Sequence, residues 1–344
     1  MFRRPHIYGS LTVPVACLWQ VAARGALLQL LFLLSSIPTI GQGVHIVPHA
    51  NTLPSETRAS ESSPAPTNTF QVKVDLVLVP VAVTDSFGRP VTGLDKDNFE
   101  IYEGKEKQAI RTFSSEDSPV SIGIIVDTSG SMTDKLERAR EAVTQVFDTA
   151  NPQDEFFLIT FADSPQLITD FTDSGEDLQN QLLSATPKGR TALLDAIYLG
   201  ISRMRHAKYA RKALLIISDG GDNHSRYREH EIRSLVREAD TLVYAIGIYD
   251  HYFNTIEEQL GPALLSQISE ETGGRMFSVD NPSDLADIAT RIGVELRNQY
   301  VMGYRPASPK SDSKWHKIKV KLSLPKGLPR CEIHAKQGYY APSW

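Results

Sequence analysis

Hydrophobic positions divide the chain into regions of different periodicity. Between about residues 120 and 300, short apolar runs alternate with stretches in which apolar residues recur at helical spacing. The run Leu214-Leu215-Ile216-Ile217 is apolar throughout, as expected for a parallel strand that is covered on both faces of its sheet. Strands that alternate with helices in this way predict an α/β fold with a doubly wound, mostly parallel sheet flanked by helices.

The same pattern places the individual elements of this α/β region. Strands are predicted at Ile122–Asp127, Glu155–Phe161, Ala213–Ser218, Leu242–Ile248 and Arg275–Val279. Helices are predicted at Asp134–Ala150, Gly175–Ser184, Ala192–Arg205, Glu229–Ala239, Thr255–Glu271 and Ser283–Arg297. In the last helix the apolar residues from Leu285 to Leu296 recur near helical spacing, so one of its faces is expected to contact the core.

The segments on either side of this region have strand chemistry instead. Phe70–Leu76 and His316–Leu322 alternate apolar and polar residues with period two, which predicts half-buried strands. Each flank is short for an independent β-sandwich. We therefore predict that residues 69–117 and 299–344 pair into one small sandwich module, with an α/β domain of residues 118–298 inserted between them.

The beginning of the chain has a different composition. Three arginines precede the first acidic residue, Glu56, and the nine-residue apolar run Ala26–Leu34 is too short to span a bilayer by itself. Residues 1–43 therefore have the pattern of a secretory signal peptide, with an uncleaved signal-anchor as the alternative. Residues 44–68 are rich in Pro, Ser and Thr and predict a disordered linker. Together they indicate a secreted or extracytoplasmic protein, linked to a membrane only if the anchor is retained.

Composition and charge exclude other classes of function. The chain has 344 residues, which is enough for two domains with substantial cores. Its net charge is −5, and no cluster of Lys and Arg occurs outside a helix face, so nucleic acid is not an expected partner. Cys17 lies in the signal region, which leaves Cys331 as the remaining thiol after cleavage. Stability is therefore expected from core burial and a metal ion instead of disulfides.

Polar side chains follow the first predicted strand of the α/β region. Asp127, Ser129 and Ser131 stand at positions i, i+2 and i+4 of the loop that leads into the first helix. One carboxylate and two hydroxyls on one loop make half of a site for a hard cation, which takes six oxygen ligands. Thr191 precedes a helix and Asp219 ends a buried strand, and loops at the carboxyl ends of neighbouring strands open into one crevice.

These motifs together resemble the metal-ion-dependent adhesion site of von Willebrand factor type A domains. The resemblance covers Pro119 to Arg297, and the segment Val83–Gly104 is similar to a sandwich module that precedes such domains in some secreted bacterial proteins. The resemblance implies that a divalent cation, Mg²⁺ with Mn²⁺ or Ca²⁺ as alternatives, is held by five side chains: Asp127, Ser129, Ser131, Thr191 and Asp219. It also implies that the hydroxyls bind directly and the aspartates bind directly or through water.

The donor set indicates the kind of function. Two carboxylates roughly balance the charge of a divalent ion, and no His or Lys lies within the three motifs to act as a base. This favours a binding protein whose ion receives an acidic side chain of a partner protein, and it disfavours an enzyme. Two alternatives stay open: a structural organiser of an envelope complex with a stabilising ion, and a metal-assisted hydrolase.

Residues beside the motifs have plainer interpretations. Asp195, one helical turn after Thr191, is interpreted as a structural or rim residue, and Asp222 and His224 as exposed loop residues. Asn223-His224-Ser225 matches a glycosylation sequon, but its place beside the expected ion argues against that use. The stretch Asp127–Gly130 by itself would fit an ordinary helix-capping turn, so the cation hypothesis depends on all three motifs.

Overall fold

The computed structural model describes residues 76–249, 256–279, 281–306, 312–324 and 330–341. These residues belong to one compact unit, Phe70–Trp344. The expected signal region, the expected linker and the start of the first alternating segment lie outside the described residues. Within the described ranges, no helix is both long enough and apolar enough to cross a bilayer.

The described elements follow the alternation expected from the sequence. The strands are β1 (Val77–Asp85), β2 (Phe99–Glu103), β3 (Glu106–Gln108), β4 (Ile110–Ser114), β5 (Val120–Asp127), β6 (Glu155–Phe161), β7 (Pro165–Thr172), β8 (Arg211–Ser218), β9 (Leu242–Ile248), β10 (Met276–Val279), β11 (Tyr300–Tyr304), β12 (Trp315–Leu322), β13 (Cys331–Ala335) and β14 (Gly338–Tyr340). The α-helices are α1 (Leu136–Asp148), α2 (Gly175–Leu183), α3 (Leu193–Met204), α4 (Glu229–Glu238), α5 (Ile256–Thr272) and α6 (Leu285–Arg297).

A six-stranded sheet forms the centre of the α/β region, in the order β10-β9-β8-β5-β6-β7. Its strands pair in parallel except β7, which pairs antiparallel with β6. Every residue of β5 is buried. Ile124 packs with α1, α2 and α6 on one face of the sheet, and Ile125 packs with α3, α4 and α5 on the other. A strand that is covered on both faces needs apolar side chains on both sides. Each large apolar side chain that is fully buried stabilises the fold by about 1.5–3 kcal/mol. The predicted fold class is confirmed.

Two four-stranded antiparallel sheets complete the described structure, in the orders β13-β1-β11-β4 and β14-β12-β2-β3. Strand β1 pairs with β11 and β13, and β2 pairs with β12. Their facing side chains form a separate core that includes Val81, Ile101 and Met302. Each small sheet therefore contains strands from the segment before the α/β region and from the segment after it.

The largest difference from the sequence prediction is β7, which the pattern of apolar residues did not indicate. β7 lies at the edge of the central sheet, and none of its eight residues is fully buried. Its pairing with β6 also contains two register shifts. A strand with one neighbour and a solvated surface has no need of a long apolar run, so its sequence lacks that signal.

Candidate metal centre

The two aspartates of the expected site lie at the ends of neighbouring strands. Asp127 is the last residue of β5, and Asp219 directly follows β8, which pairs in parallel with β5. Because parallel neighbours end at the same edge of the sheet, the two carboxylates reach one crevice. The negative charge of Asp219 acts on Asp127, which agrees with this proximity.

Hydrogen bonds join the three loops that carry the five side chains. The Gly130 amide donates to the Gly189 carbonyl at 3.1 Å, which links the first loop to the second. The Thr191 amide donates to Oδ1 of Asn223 at 3.0 Å, and the Asn223 amide donates back to the Thr191 carbonyl at 3.0 Å. The second loop is thereby fixed to the third, and the three loops form one connected unit.

The two serine hydroxyls are spaced as ligands of one ion would be. Oγ of Ser129 lies 3.1 Å from Oγ of Ser131. Two adjacent ligands of an octahedral Mg²⁺ ion, each about 2.1 Å from the metal, are about 3.0 Å apart. Ser131 and Gly130 are exposed, whereas Ser129 and Thr191 are buried. The crevice is therefore open to solvent at the Gly130–Ser131 side.

Asp127 is a buried carboxylate whose contacts are hydrogen-bond donors without charge. It is 0% exposed, its Oδ1 accepts the Ser129 amide at 2.8 Å, and its Oδ2 accepts the Ser218 hydroxyl at 2.6 Å. Burial and the charge of Asp219 raise the pKa of Asp127 to about 7, against the opposing effect of these hydrogen bonds. Among the described residues, no Lys, Arg or His forms an ion pair with it. A divalent cation would supply the missing positive charge, so the residues present fit such an ion.

Asp219 has a cationic neighbour that the sequence analysis did not include. Nζ of Lys135 lies 3.4 Å from Oδ2 of Asp219, and the two side chains are 8% and 7% exposed. Lys135 precedes the first residue of α1 and stands four positions after Ser131. This position, about one helical turn beyond the motif, is the feature of the sequence that could have indicated that Lys135 lies near the site. The sequence analysis considered His and Lys only within the three motifs, and Lys135 lies outside them.

Glycines shape the second and third loops. Gly220, directly after Asp219, has a φ of +82°, a conformation that L side chains rarely adopt. A Cβ on Gly261 of α5 would lie 2.5 Å from the Gly220 carbonyl carbon, so α5 approaches the third loop backbone to backbone. Gly189 also has a φ of +82°, and a side chain there would collide with the Asp163 carboxylate.

The residues beside the motifs have structural contacts. Asp195 is 4% exposed and accepts the backbone amides of Arg226 and Tyr227, which ties α3 to the third loop. Oδ2 of Asp222 accepts the Leu194 amide at 2.9 Å, so Asp222 anchors the start of α3 and is more than an exposed loop residue. The side-chain oxygen of Asn223 accepts a hydrogen bond from the Thr191 amide. A glycosylation sequon alone does not predict this contact.

Comparison with known proteins identifies the domain family that part of this chain matches. Residues 122–221 match the family model of the von Willebrand factor type A domain. An uncharacterized protein of Borreliella burgdorferi is 22% identical over 184 residues, which cover 46% of this chain and 54% of that protein. Inter-alpha-trypsin inhibitor heavy chain H4 of Homo sapiens is 22% identical over 181 residues, which cover 49% of this chain and 19% of that protein. The chain thus spans about half of the first relative and about a fifth of the second.

Solved structures resemble the chain more distantly. The von Willebrand factor type A structure from Catenulispora acidiphila has a TM-score of 0.48 at 15% identity, and the match covers 79% of this chain and 64% of that one. Proximal thread matrix protein 1 of the mussel byssus, described with a zinc-occupied MIDAS motif, has a TM-score of 0.44 at 19% identity, with 57% and 50% covered.

Proposed function

Because the chain contains a von Willebrand factor type A domain at residues 122–221, we propose that it binds a partner protein through a divalent cation held at the carboxyl end of β5 and β8. The ion is Mg²⁺, with Mn²⁺ or Ca²⁺ as alternatives. The partner contributes an acidic side chain. The protein acts outside the cytoplasm, secreted or at the cell surface, in agreement with the signal-like composition of residues 1–43.

The main support for this proposal is the burial of Asp127. A carboxylate with no exposure and no cationic partner among the described residues destabilises its own charged form, and its raised pKa reflects that cost. A divalent ion would remove the cost. A purely structural aspartate in such a place would be expected to have an arginine or a lysine as its partner.

The hydroxyls and the carboxylates have different tasks in the proposed site. The hydroxyls of Ser129, Ser131 and Thr191 are neutral ligands that leave most of the charge of the ion in place. The ion, when bound, supplies a Lewis-acidic position for an incoming carboxylate. The partner would approach where Gly130 and Ser131 are exposed, since the other ligands are buried.

Cation binding by the full chain tests the first half of the proposal. Mg²⁺ binding, measured by calorimetry, should be lost in Asp127→Ala and retained in Asp134→Ala, which removes an exposed carboxylate three residues after Ser131. Unchanged Mg²⁺ affinity in Asp127→Ala would count against the site. Thermal melts in EDTA should show that both variants fold.

Capture of partner proteins tests the second half. Proteins retained by the full chain should be released by EDTA and should not bind Asp127→Ala. Capture that needs neither the ion nor Asp127, from a chain that does bind Mg²⁺, would instead support a structural organiser in which the ion serves stability alone.

A further inference from the structure

The second loop of the site carries two charged side chains, and both are positive. Between the end of α2 and the start of α3 the charged residues are Lys188 and Arg190, and both are exposed. They stand on either side of Gly189, whose carbonyl accepts the Gly130 amide at 3.1 Å. The Lys188 amide also donates to the Thr128 carbonyl at 2.9 Å. Both cations are therefore attached to the backbone beside the opening of the proposed site to solvent.

The guanidinium of Arg190 is weakly held. The Arg190 amide donates to Oδ1 of Asp163 at 3.0 Å, which fixes the backbone, whereas Nε of Arg190 lies 3.4 Å from the same oxygen. The side chains of Arg190 and Asp163 are 63% and 60% exposed, and an ion pair in water contributes little to stability. Among the described residues, no hydrogen bond occupies the two terminal nitrogens of this guanidinium.

Arg226, on the third loop, differs from Arg190 in how firmly its side chain is bound. The Arg226 amide and Nε also contact one aspartate, Asp195, at 2.9 and 3.0 Å, but they use different carboxylate oxygens, and the Asp195 side chain is 4% exposed. Arg226 thus compensates a buried acid. Arg190 has an exposed acid as its partner, so the loop is fixed by the amide contact and the guanidinium is available for another ligand.

We propose that Arg190 binds a second carboxylate of the partner, so that the site recognises a segment with two acidic side chains, one on the ion and one on Arg190. The inference rests on the proposed function, since it names the chemistry of the partner at the same site. A planar guanidinium offers two parallel N–H groups to one carboxylate, which an ammonium does not. Lys188 adds a second positive charge beside the same opening.

Asp163 competes with the partner in this arrangement. Its carboxylate contacts the same guanidinium that the second acid of the partner would bind. The amide and Nε of Arg190 both use Oδ1 of Asp163, so an asparagine in that position still has an oxygen that accepts the amide. Asp163→Asn therefore removes the competing charge and keeps the contact that fixes the loop.

Selection of peptides by the full chain tests the inference. A library of random short peptides is bound in Mg²⁺ and released with EDTA. The wild type should enrich peptides with two acidic residues at a preferred spacing, whereas Arg190→Gln should enrich peptides that need one. Peptides with a single acid from the wild type, or the same two-acid pattern from both proteins, would overturn the inference and leave the proposed function intact. If EDTA releases no peptide from the wild type, the proposed function and this inference fail together.

Affinities for one selected two-acid peptide measure the contribution of Arg190. Replacement of the second acid of the peptide should weaken binding to the wild type about ten-fold and leave binding to Arg190→Gln nearly unchanged, because a charge-assisted hydrogen bond is lost in the first case alone. Arg190→Lys keeps the charge without the planar fork and should fall between the two. Arg111→Gln, which removes an exposed arginine from β4, is the matched control and should behave as the wild type.

Asp163→Asn separates a binding role of Arg190 from a structural one. If the ion pair only supports the second loop, Asp163→Asn and Arg190→Gln should weaken peptide binding alike, and that result would overturn the inference. The inference predicts opposite effects, with tighter binding of the two-acid peptide by Asp163→Asn. Calorimetry with Mg²⁺ alone should give nearly the wild-type affinity in both variants, which shows that the cation site is intact.

Discussion

The two ends of the central sheet treat buried acids differently. At the amino ends of the strands, Asp154 lies 3.0 Å from Arg297, and Glu271 lies 2.6 and 2.7 Å from Arg233 and Arg237. Each buried acid there has a guanidinium partner, so its charge is compensated within the protein. Removing one member of such a pair leaves a buried charge alone, which costs far more than the loss of a surface pair.

At the carboxyl ends of the same strands the compensation is incomplete. Asp127 has serine and backbone donors, and Asp219 has Lys135 at 3.4 Å. Among the described residues, Asp219 forms an ion pair with Lys135, and Asp127 forms none. Burial of an acid is therefore not enough to mark a site. The proposed site rests on an acid that is buried, close to a second acid and short of positive charge.

The largest effect on stability is expected from a substitution that breaks an ion pair at the amino ends of the strands. Asp154→Asn should destabilise the protein by about 3 kcal/mol or more, because it removes the closer and more buried of the two carboxylates that pair with Arg297 and weakens the hydrogen bond to the Val120 amide. Urea unfolding in EDTA measures this. Arg138→Met, which breaks an exposed pair with Glu141, should cost under about 1 kcal/mol. A similar small cost for Asp154→Asn would remove the contrast between the two ends.

An Asp→Asn substitution at the carboxyl ends of the strands should have the opposite effect on stability. Asp127→Asn removes a buried charge that no cation among the described residues compensates, so in EDTA the variant should be more stable than the wild type at neutral pH. The stabilisation by Mg²⁺ should disappear at the same time. If Asp127→Asn destabilises the ion-free protein as Asp154→Asn does, Asp127 is an ordinary structural acid.

The pH dependence of cation binding should follow from the raised pKa of Asp127. Its folded value of about 7 exceeds the ordinary value of 3.8, so in the ion-free protein this group favours the fold below about pH 4, and the contribution is lost as the pH rises to about 7. A proton and the cation therefore compete for one carboxylate. Mg²⁺ affinity should fall by up to about ten-fold per pH unit below pH 7 and level off above it. Calorimetry across that range measures it, and a flat profile would contradict the competition.

The smallest effect is expected from the loop that supports Thr191. Asn223→Ala removes the acceptor for the Thr191 amide, which should cost about 1 kcal/mol of stability and about ten-fold in Mg²⁺ affinity. Asn298→Ala, at the end of α6, is a control whose hydrogen bond lies within its own helix end. Equal Mg²⁺ affinity in both variants would show that the second loop holds its position without Asn223.

Regular elements and their order were predictable because periodicity reports which faces are buried. The predicted helices agree with the described ones to within about two residues at each end. Strand β7 was missed because an edge strand is half solvated. The division into domains at residues 117/118 and 298/299 stays a prediction. Limited proteolysis that left a stable α/β core while degrading both flanks separately would contradict it.

The site was predictable in its motifs and not in its surroundings. Asp127, Ser129 and Ser131 lie on one loop, so their spacing is visible in the sequence. The contact of Lys135 with Asp219 joins residues 84 positions apart, and that of Asn223 with Thr191 joins residues 32 apart. The spacing of Lys135 from Ser131 indicates only that Lys135 lies near the first loop, and both contacts depend on which loops the sheet brings together.

Three features can be read from the amino-acid sequence alone: the alternation of strands and helices, the buried character of the central strands and the types of oxygen donor at three loop positions. These are local properties, written in side-chain polarity at spacings of two to four residues. Which charges are compensated depends on the folded arrangement of the chain. Lys135 was brought to Asp219, arginines were brought to Asp154 and Glu271, and Asp127 was left with uncharged donors. Charge compensation depends on distances through space, and strand order sets those distances between residues far apart in the chain.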